Sequence, residues 1–464
     1  MNRGKRFAKK TAIYAIGNFG SRVLTFLMVP YYTHNIPTGE YGIYDVLLVT
    51  ISLIMPVLTL QTQEAIIAGM IDKEKDNRQI IKSTLSIVII NSAVFAGLYF
   101  LISRFFSIPY GIYFIALLAV KSIYTIIHQY ARGLSKTGLY AATGILYTLV
   151  FLGLNIIQLS VLHSGIQGLL ISETIASIVS IAIVVVGAPE IINAIRVEID
   201  KSELLRIIHY SLPLIPNNIS WWLINASDRY VIGFFLGSVS NGIYAISYKF
   251  ANIIQTVTSL VYLAWQEISL EEYKSKDKDA FYSRFFNSYM KLLLSGVLVA
   301  ICCTKFITVT FLAEGYFDAW KYTSWLYMGI VFSSLAAFLN TCYLANGQTG
   351  EILKGTMLAG VINLLVDVAL IKIIGVYAAS LSTVVSAFVL LIRRIFDNRK
   401  YYNLIVDWKA LSRLTVLCTV YSVIILITEE YVLDLCLLVP AIIFAVVLNK
   451  DLIQVIMKKV MKKA

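Results

Sequence analysis

Charge is what this chain has least of. Asp, Glu, Lys and Arg together supply 14% of its 464 residues, against roughly a quarter in soluble domains. Hydrophobic residues make up 58%, and the mean hydropathy is +0.76. So few charges cannot cover a water-facing surface of this size, which excludes a soluble enzyme or binding domain and places nearly all of the chain against lipid. Cysteine is also scarce. Cys302, Cys303, Cys342, Cys418 and Cys436 form no CxxC pair and no metal-ligand spacing, so they read as small apolar packing residues. His34, His128, His163 and His209 are scattered, and none opens a zinc motif. A GxxxxGK[ST] loop is missing, so ATP is not bound in that way. The connections predicted to face outward are all short, which leaves no room for the external catalytic domain of a membrane glycosyltransferase or polysaccharide polymerase.

What is present is a long series of apolar runs. Stretches long enough to span a bilayer, about 20 residues each, lie at 11–32, 42–70, 80–102, 110–130, 138–162, 165–187, 205–236, 241–269, 284–311, 320–345, 350–372, 375–393, 411–428 and 432–449. They predict an all-α polytopic membrane protein of about fourteen transmembrane helices. The first run follows a basic start but is long, contains Arg22 and lacks a small-residue cleavage site, so it reads as a retained helix and not as a signal peptide. Bases concentrate in alternate connections: Arg3 to Lys10, Lys73 to Lys82, Arg132 and Lys136, Arg196 to Arg206, Lys274 to Arg284, Arg393, Arg394, Arg399 and Lys400, and Lys450 to Lys463. Because Lys and Arg resist translocation, these connections and both termini are expected in the cytoplasm, with the chain in the cytoplasmic membrane. The net charge of +12 is mostly this bias and not a nucleic-acid footprint. The basic tail after Asn449 is expected to lie along the anionic lipid of the phospholipid bilayer.

The chain also repeats itself. TGEYGIYDVLLVTISLIMPVLTLQTQEAI returns as SVSNGIYAISYKFANIIQTVTSLVYLAWQEI, so that Gly42 to Tyr44 recur at Gly242 to Tyr244 and Gln63 and Glu64 recur at Gln266 and Glu267. GLSKTG, ending at Gly138, is echoed by LANGQTG, ending at Gly350, and at equal distances beyond them stand Asn155 and Asp367. GIQGLLISETIASIVS from Gly165 pairs with GVYAASLSTVVSAFVL from Gly375. The matches keep one order, so two related halves are expected, arranged as parallel repeats about an axis along the membrane normal. Two such bundles with a cleft between them make a transporter.

The segments GNFGSRVLTFLMVPYYTHNIPTGEYGIYD, from Gly17 to Asp45, and DRYVIGFFLGSVSNGIYAISYKFAN, from Asp228 to Asn252, resemble the hallmark segments of the polysaccharide-repeat-unit flippases, the O-antigen and capsule branch of the MOP exporter superfamily. The resemblance extends to length, helix count and loop order. It implies the fold of the multidrug and toxic-compound extrusion (MATE) transporters: one six-helix lobe within 1–203, a second within 204–400, and two further helices with a basic tail over 401–464. It also implies a task, moving an undecaprenyl-diphosphate-linked oligosaccharide from the inner to the outer leaflet, and as partners the polysaccharide polymerase and other assembly proteins. A lipid II flippase and a MATE-type ion-coupled efflux antiporter are the alternatives, together with a noncatalytic scaffold of a polysaccharide-synthesis complex. The bases within the spans argue against the antiporter, whose cationic substrates favour an acidic cavity.

A diphosphate cannot cross hydrocarbon unaided, so a polar path with positive charge is needed. Arg22, Arg229 and Lys249 lie within predicted spans and are the candidates, the arginines as planar forks and Lys249 as a point charge. Two readings stay open: these bases meet substrate phosphate, or they neutralise Asp45 and Asp228 to hold helices together. Lys121 and Lys291 are weaker candidates that can snorkel to the surface. Tyr14, Tyr31, Tyr32, Tyr44, Tyr244 and Tyr248 cluster near the same helices, either as stacking surfaces for sugar rings or, the favoured reading of any one of them, as an interfacial belt. Gln63, Glu64, Gln266 and Glu267 read either as a gate or as capped, solvated helix ends.

No bound cofactor is expected beyond a coupling ion, Na+ or H+. Asn363 and Asp367 are spaced i, i+4 and share a helix face, and Thr383 and Ser382 lie at comparable depth in the next span. With Asp228 they supply oxygens of the type that a hard cation prefers, and the set resembles the sodium site in the C-terminal lobe of lipid II flippases and some MATE transporters. A hydrogen-bonded polar patch, or protonation of Asp367 alone, is the competing reading.

Overall fold

Every described element of the computed structural model is helical, and a helix satisfies its own backbone amides where no water can. The structure describes residues 20–71, 76–273, 275–428, 431–451 and 453–454. The expected start of the first span, Tyr14, Lys73, Lys75 and most of the basic tail lie outside them. Eleven helices among the described residues are long and apolar enough to cross a membrane, and the chain is a multi-pass membrane protein. One of the eleven, Lys201–Glu272, runs to 72 residues and is broken at Gly237. A shorter apolar helix, Asp434–Leu448, corresponds to the last expected span, and helical residues 20–27 lead into α1, Val29–Asn35.

The chain divides into two compact units. The first holds residues 1–36 and 43–222. After α1 come α2 (Thr38–Leu58), α3 (Thr62–Ile71), α4 (Asn77–Ile102), α5 (Gly111–Gly133), α6 (Thr137–Ile156), α7 (Gly165–Gly187), α8 (Glu190–Ile195) and α9 (Lys201–Ser211). The expected single span 42–70 is two helices. Pro56 sits inside α2, Leu60 and Gln61 take positive φ values of 48° and 55°, and Asn91 of α4 donates to the freed carbonyl of Leu58 at 2.8 Å. Proline weakens the helix at that point and the amide accepts the exposed end. At the same break Gln63 donates to the side chain of Gln61 at 2.6 Å, while Glu64 is exposed. Within the unit α7 packs against α5 and α6, and α8 and α9 lie on α4. Asp76 and Asp200 cap α4 and α9, accepting from the amides of Arg78 at 2.9 Å and Ser202 at 2.8 Å.

The second unit holds residues 37–42 and 223–464. Its elements are most of α10 (Ile215–Glu272), then α11 (Lys278–Phe311), α12 (Ala319–Phe338), α13 (Asn340–Ala345), α14 (Thr349–Ile374), α15 (Tyr377–Asn398), α16 (Trp408–Ile427) and α17 (Tyr431–Leu448). The sequence predicts a loop, GSVS, between the seventh and eighth spans; the structure needs only one non-helical residue, Gly237, with φ 86° and ψ 175°. That backbone is essentially confined to glycine. The core lies where α15 packs against α12 and α14, while α11 holds α16 and α17. Buried Lys305 of α11 donates to the Thr428 carbonyl at 2.5 Å and stands 3.4 Å from buried Asp434 of α17 and 4.6 Å from the ring centre of Trp320. The link before α16 is strapped to α11 by Asn287, which donates to the Ile405 carbonyl and accepts from the Asp407 amide at 2.8 and 2.9 Å.

The repeated Gly-Ile-Tyr has a geometric meaning. A Cβ on Gly42 would stand 1.9 Å from the Ser238 carbonyl oxygen, and one on Gly242 would stand 2.0 Å from the Thr38 carbonyl oxygen. Thr38 and Ser238 occupy equivalent repeat positions, so the contact is reciprocal. Asn241 seals it by donating to the Gly42 carbonyl at 2.8 Å. Backbone, not side chain, blocks each glycine, so Gly42→Ala and Gly242→Ala are each expected to lower stability by about 2 kcal/mol or more. Gly153, with open space around it, serves as the control. Thermal unfolding in detergent checks this: the first two variants melt well below the native protein and Gly153→Ala melts with it.

Candidate functional site

The polar centre of the second unit is made by the reversal at Gly237. It brings Asp228, before the break, against Tyr244, after it, and the phenol donates to Asp228 Oδ2. Arg229 Nη1 donates to the Asn225 carbonyl at 2.5 Å and to Asp228 Oδ1 at 3.4 Å. The guanidinium covers the ring of Tyr248 at 3.9 Å from its centre and stands 5.2 Å from that of Tyr244. The Tyr248 hydroxyl in turn donates to Asn225 Oδ1 at 3.3 Å. Asp228 is fully buried and Arg229 is 4% exposed. A buried ion pair needs its remaining lone pairs and protons taken up as well, and here the Tyr244 phenol, the Asn225 carbonyl and the aromatic faces of Tyr244 and Tyr248 take up part of them.

The neighbouring helices α14 and α15 complete the centre. Asn363, fully buried, donates toward Ser382 at 3.3 Å and toward Thr383 and Ser386 at 3.5 Å, and accepts from Ser227 at 3.3 Å. One turn further along α14 lies Asp367, also fully buried. Neither of its oxygens has a hydrogen-bond donor among the described residues, and it is close enough to Asp228 for the two charges to interact. The repeat sharpens the contrast. Asn155, the residue at the matching place in the first half, is buried and donates to Tyr32 at 2.7 Å, whereas Asp367 has only the fields of its neighbours. A buried carboxyl without a donor must be neutralised by a proton or a cation. Asn363, one turn away on α14, bonds to the hydroxyls of Ser382 and Thr383, and hydroxyl and amide oxygens are hard donors of the kind that hold Na+. Among the described residues no group of three or more His, Cys, Asp or Glu could hold a metal ion, so any cation there rests mainly on neutral oxygens.

The residues of the expected metal set, Asp228, Asn363, Asp367 and Thr383, all lie in the second unit, where Asn363 bonds to Ser227 and to Thr383. The expected substrate set divides: Arg22, exposed, and Asp45, half-buried on α2, belong to the first unit, while Arg229 and half-buried Lys249 belong to the second. Lys249 directly follows Tyr248, whose ring Arg229 covers. Lys121 forms an ion pair with Glu173 of α7, which also accepts from Tyr147, and Lys291 pairs with Asp407 at 2.9 Å. Tyr31 is bonded to Ser160 at 2.6 Å within the first unit. Tyr44, Tyr244 and Tyr248 are buried, which removes these three from an interfacial belt. Sequence reasoning missed Ser227 and Ser386. The signal was spacing, since Ser386 lies one turn beyond Ser382 and Ser227 adjoins Asp228.

A family described as "Polysaccharide biosynthesis protein" matches residues 7–265, more than half of the chain. Among solved structures, the lipid II flippase MurJ in an inward closed conformation is similar over 95% of this chain and 100% of its own, with a TM-score of 0.66 at 14% identity. An inward-facing multidrug resistance MATE family transporter of the MOP superfamily is similar over 85% and 95%, with a TM-score of 0.67 at 12% identity. A Vibrio cholerae MATE transporter is similar over 85% and 96%, with a TM-score of 0.59 at 15% identity. The fold is therefore that of the MATE and MurJ transporters. No curated protein matches the chain.

The two carboxyls should respond oppositely to removal. Asp228→Asn leaves Arg229 buried without its counter-charge and is expected to cost about 3 kcal/mol. Asp367→Asn replaces a carboxyl that has no donor and is expected to leave stability unchanged or to raise it in sodium-free buffer. Thermal unfolding of both variants checks the contrast, and an equal loss in the two would contradict it.

Proposed function

The chain belongs to the polysaccharide biosynthesis protein family, and from that premise we propose that it is a flippase, and not an enzyme, that carries undecaprenyl-diphosphate-linked oligosaccharide repeat units across the cytoplasmic membrane by alternating access. The observation that carries this reading is the ionised centre of the second unit. A guanidinium, two carboxyls and a ring of hydroxyls are sealed inside helices that otherwise bury apolar side chains, and intramembrane ions of this kind mark substrate or ion pathways. Arg229 and Lys249 of the second unit, and separately Arg22 of the first, are the bases offered to the diphosphate, and the lipid tail stays in the bilayer.

Coupling follows from charge. While Asp367 is ionised, two carboxylates act on one arginine and hold it at Asp228. A sodium ion or a proton taken up at Asp367 removes one of those charges, loosens the hold on Arg229 and favours the arrangement in which the guanidinium meets phosphate. The ion biases the equilibrium only by its differential affinity for the two arrangements. The polymerase and the other assembly proteins act downstream, removing the flipped product.

Reconstituted vesicles loaded with a fluorescent lipid-diphosphate oligosaccharide test the proposal. Transport by the native protein should respond to an imposed sodium or proton gradient, and Asp367→Asn should lose that response while still binding the substrate. Arg22→Ala and Lys249→Ala should abolish transport, and Arg22→Lys should restore it only in part because the bidentate fork is lost. Indifference of the native protein to both gradients would overturn the coupling, and preference for lipid II would favour the alternative substrate.

Orientation is checked separately. Asn35, Val239, Asp76 and Asp277 are all exposed. Cysteines introduced at Asn35 and Val239 should react with an impermeant reagent outside intact cells, and cysteines at Asp76 and Asp277 only after permeabilisation. Labelling of Asp76→Cys in intact cells would reverse the proposed topology.

A further inference from the structure

Lys121 of α5 and Glu173 of α7 meet near the middle of their helices, and a run of stacked rings leads up to them. Tyr140 of α6 stacks on His128 of α5 with ring centres 4.0 Å apart, His128 on Tyr124 at 5.3 Å, and Tyr124 on Tyr147 of α6 at 5.1 Å. Tyr147 then donates at 3.2 Å to Glu173 Oε1, the oxygen that also accepts from Lys121. Rings and ion pair form one connected series across three helices of the first unit.

This series borders open space. Helical geometry puts Lys121, Tyr124 and His128 on the side of α5 opposite exposed Ile112 and Ala116, and Tyr140 and Tyr147 on the side of α6 opposite exposed Ile145, Leu149 and Ile156. The apolar sides meet lipid and the polar sides turn from it. Lys121 nevertheless keeps 29% of its side chain exposed, and Tyr124, His128 and Tyr147 are only half-buried. An open lysine at this depth, turned from lipid, lines a wet recess. Lys121 spends one N–H on Glu173 and keeps two. Glu173 Oε2 and the Tyr124 hydroxyl have no hydrogen-bond partner among the described residues and are not sealed. His128 Nε2 donates to the Tyr140 carbonyl at 3.0 Å, which leaves Nδ1 of the neutral imidazole as an acceptor. The recess thus offers donors and acceptors but no net charge. That suits a vicinal diol, one hydroxyl accepting from Lys121 while its neighbour donates to Glu173. An anion has to displace Glu173 from Lys121, and a cation has to displace Lys121 from Glu173. The ring faces are taken up with one another, so they fix the phenol and imidazole edges in place and leave little ordering for a ligand to impose.

We propose that Lys121, Glu173, Tyr124 and His128 form a binding site in the first unit for an uncharged, hydroxyl-rich sugar ring. The site rests on the flippase reading, in which that ring belongs to the lipid-linked oligosaccharide, and it assigns the glycan to groups other than the bases offered to the diphosphate. The full chain in nanodiscs is titrated with lipid-linked oligosaccharide extracted from cells that make this protein and, in parallel, with undecaprenyl diphosphate, which carries no sugar. The native protein should bind the oligosaccharide-bearing lipid about tenfold more tightly. Tyr124→Phe removes a hydroxyl that holds nothing in the fold, and it should reduce this preference to about twofold while leaving affinity for undecaprenyl diphosphate unchanged. Glu173→Gln should also weaken binding of the oligosaccharide-bearing lipid. Tighter binding by Glu173→Gln shows a released Lys121 taking an anion and overturns the uncharged class. Should Glu173→Gln fail to fold, Lys121→Met combined with Glu173→Gln removes both charges together and should lose the preference. The proposal is overturned if the native protein binds the two lipids alike, or if Tyr124→Phe or the double variant keeps the native preference. Binding of neither lipid by the native protein overturns the flippase reading itself, and the sugar site with it.

Discussion

A single residue, Gly237, decides where the chemistry of the second unit lies. With φ 86° and ψ 175° it reverses a helix without a loop, in a conformation that a side chain would forbid. The reversal places the phenols of Tyr244 and Tyr248 against Asp228 and Arg229, and it carries Gly242 to the backbone of Thr38. An ordinary turn of several residues would move both sets of contacts out of register. The ion pair of the polar centre and the reciprocal glycine contact therefore depend on the same backbone angle.

Around that reversal the unit buries ionic groups in two different conditions. Asp228 with Arg229, and Lys305 with Asp434, are paired: each charge has its opposite, with a phenol, a carbonyl or an aromatic face beside it. Such pairs persist because removing one member strands the other. Asp367 and Arg394 are open. Each is buried with its charged atoms unmatched among the described residues, and the interior of a helical bundle is where that costs most. A charge paired within the chain is compensated where it lies, whereas the carboxyl of Asp367 meets no donor among the described residues, which is why the proposed coupling ion is placed there.

The two halves of the repeat also diverge in an instructive way. Asn155 and Asp367 stand at matching places, yet one is an amide that meets Tyr32 and the other a carboxyl that meets no donor. The repeat duplicated a buried polar position, and a change of one functional group turned a helix contact in one half into a candidate ion site in the other. The charge of Lys121 in the first unit is likewise paired, with Glu173.

The sequence by itself determined the class of molecule, the number and order of the spans and the existence of the repeat, because hydropathy, basic loops and glycine-bearing motifs are properties of local composition that the bilayer enforces directly. It also supplied Asn363 and Asp367, since helical spacing alone puts residues i and i+4 on one face. Tertiary structure decided the rest. Only the packing of α10 shows that Arg229 belongs to Asp228 and not to open space, and only the burial of α15 shows that Arg394 is no loop residue. The break at Leu60 and the one-residue reversal at Gly237 were hidden for the same reason. Charge pairing and backbone reversal depend on which distant helices come together, and a hydropathy pattern records how deeply a residue is buried but not what it is buried against.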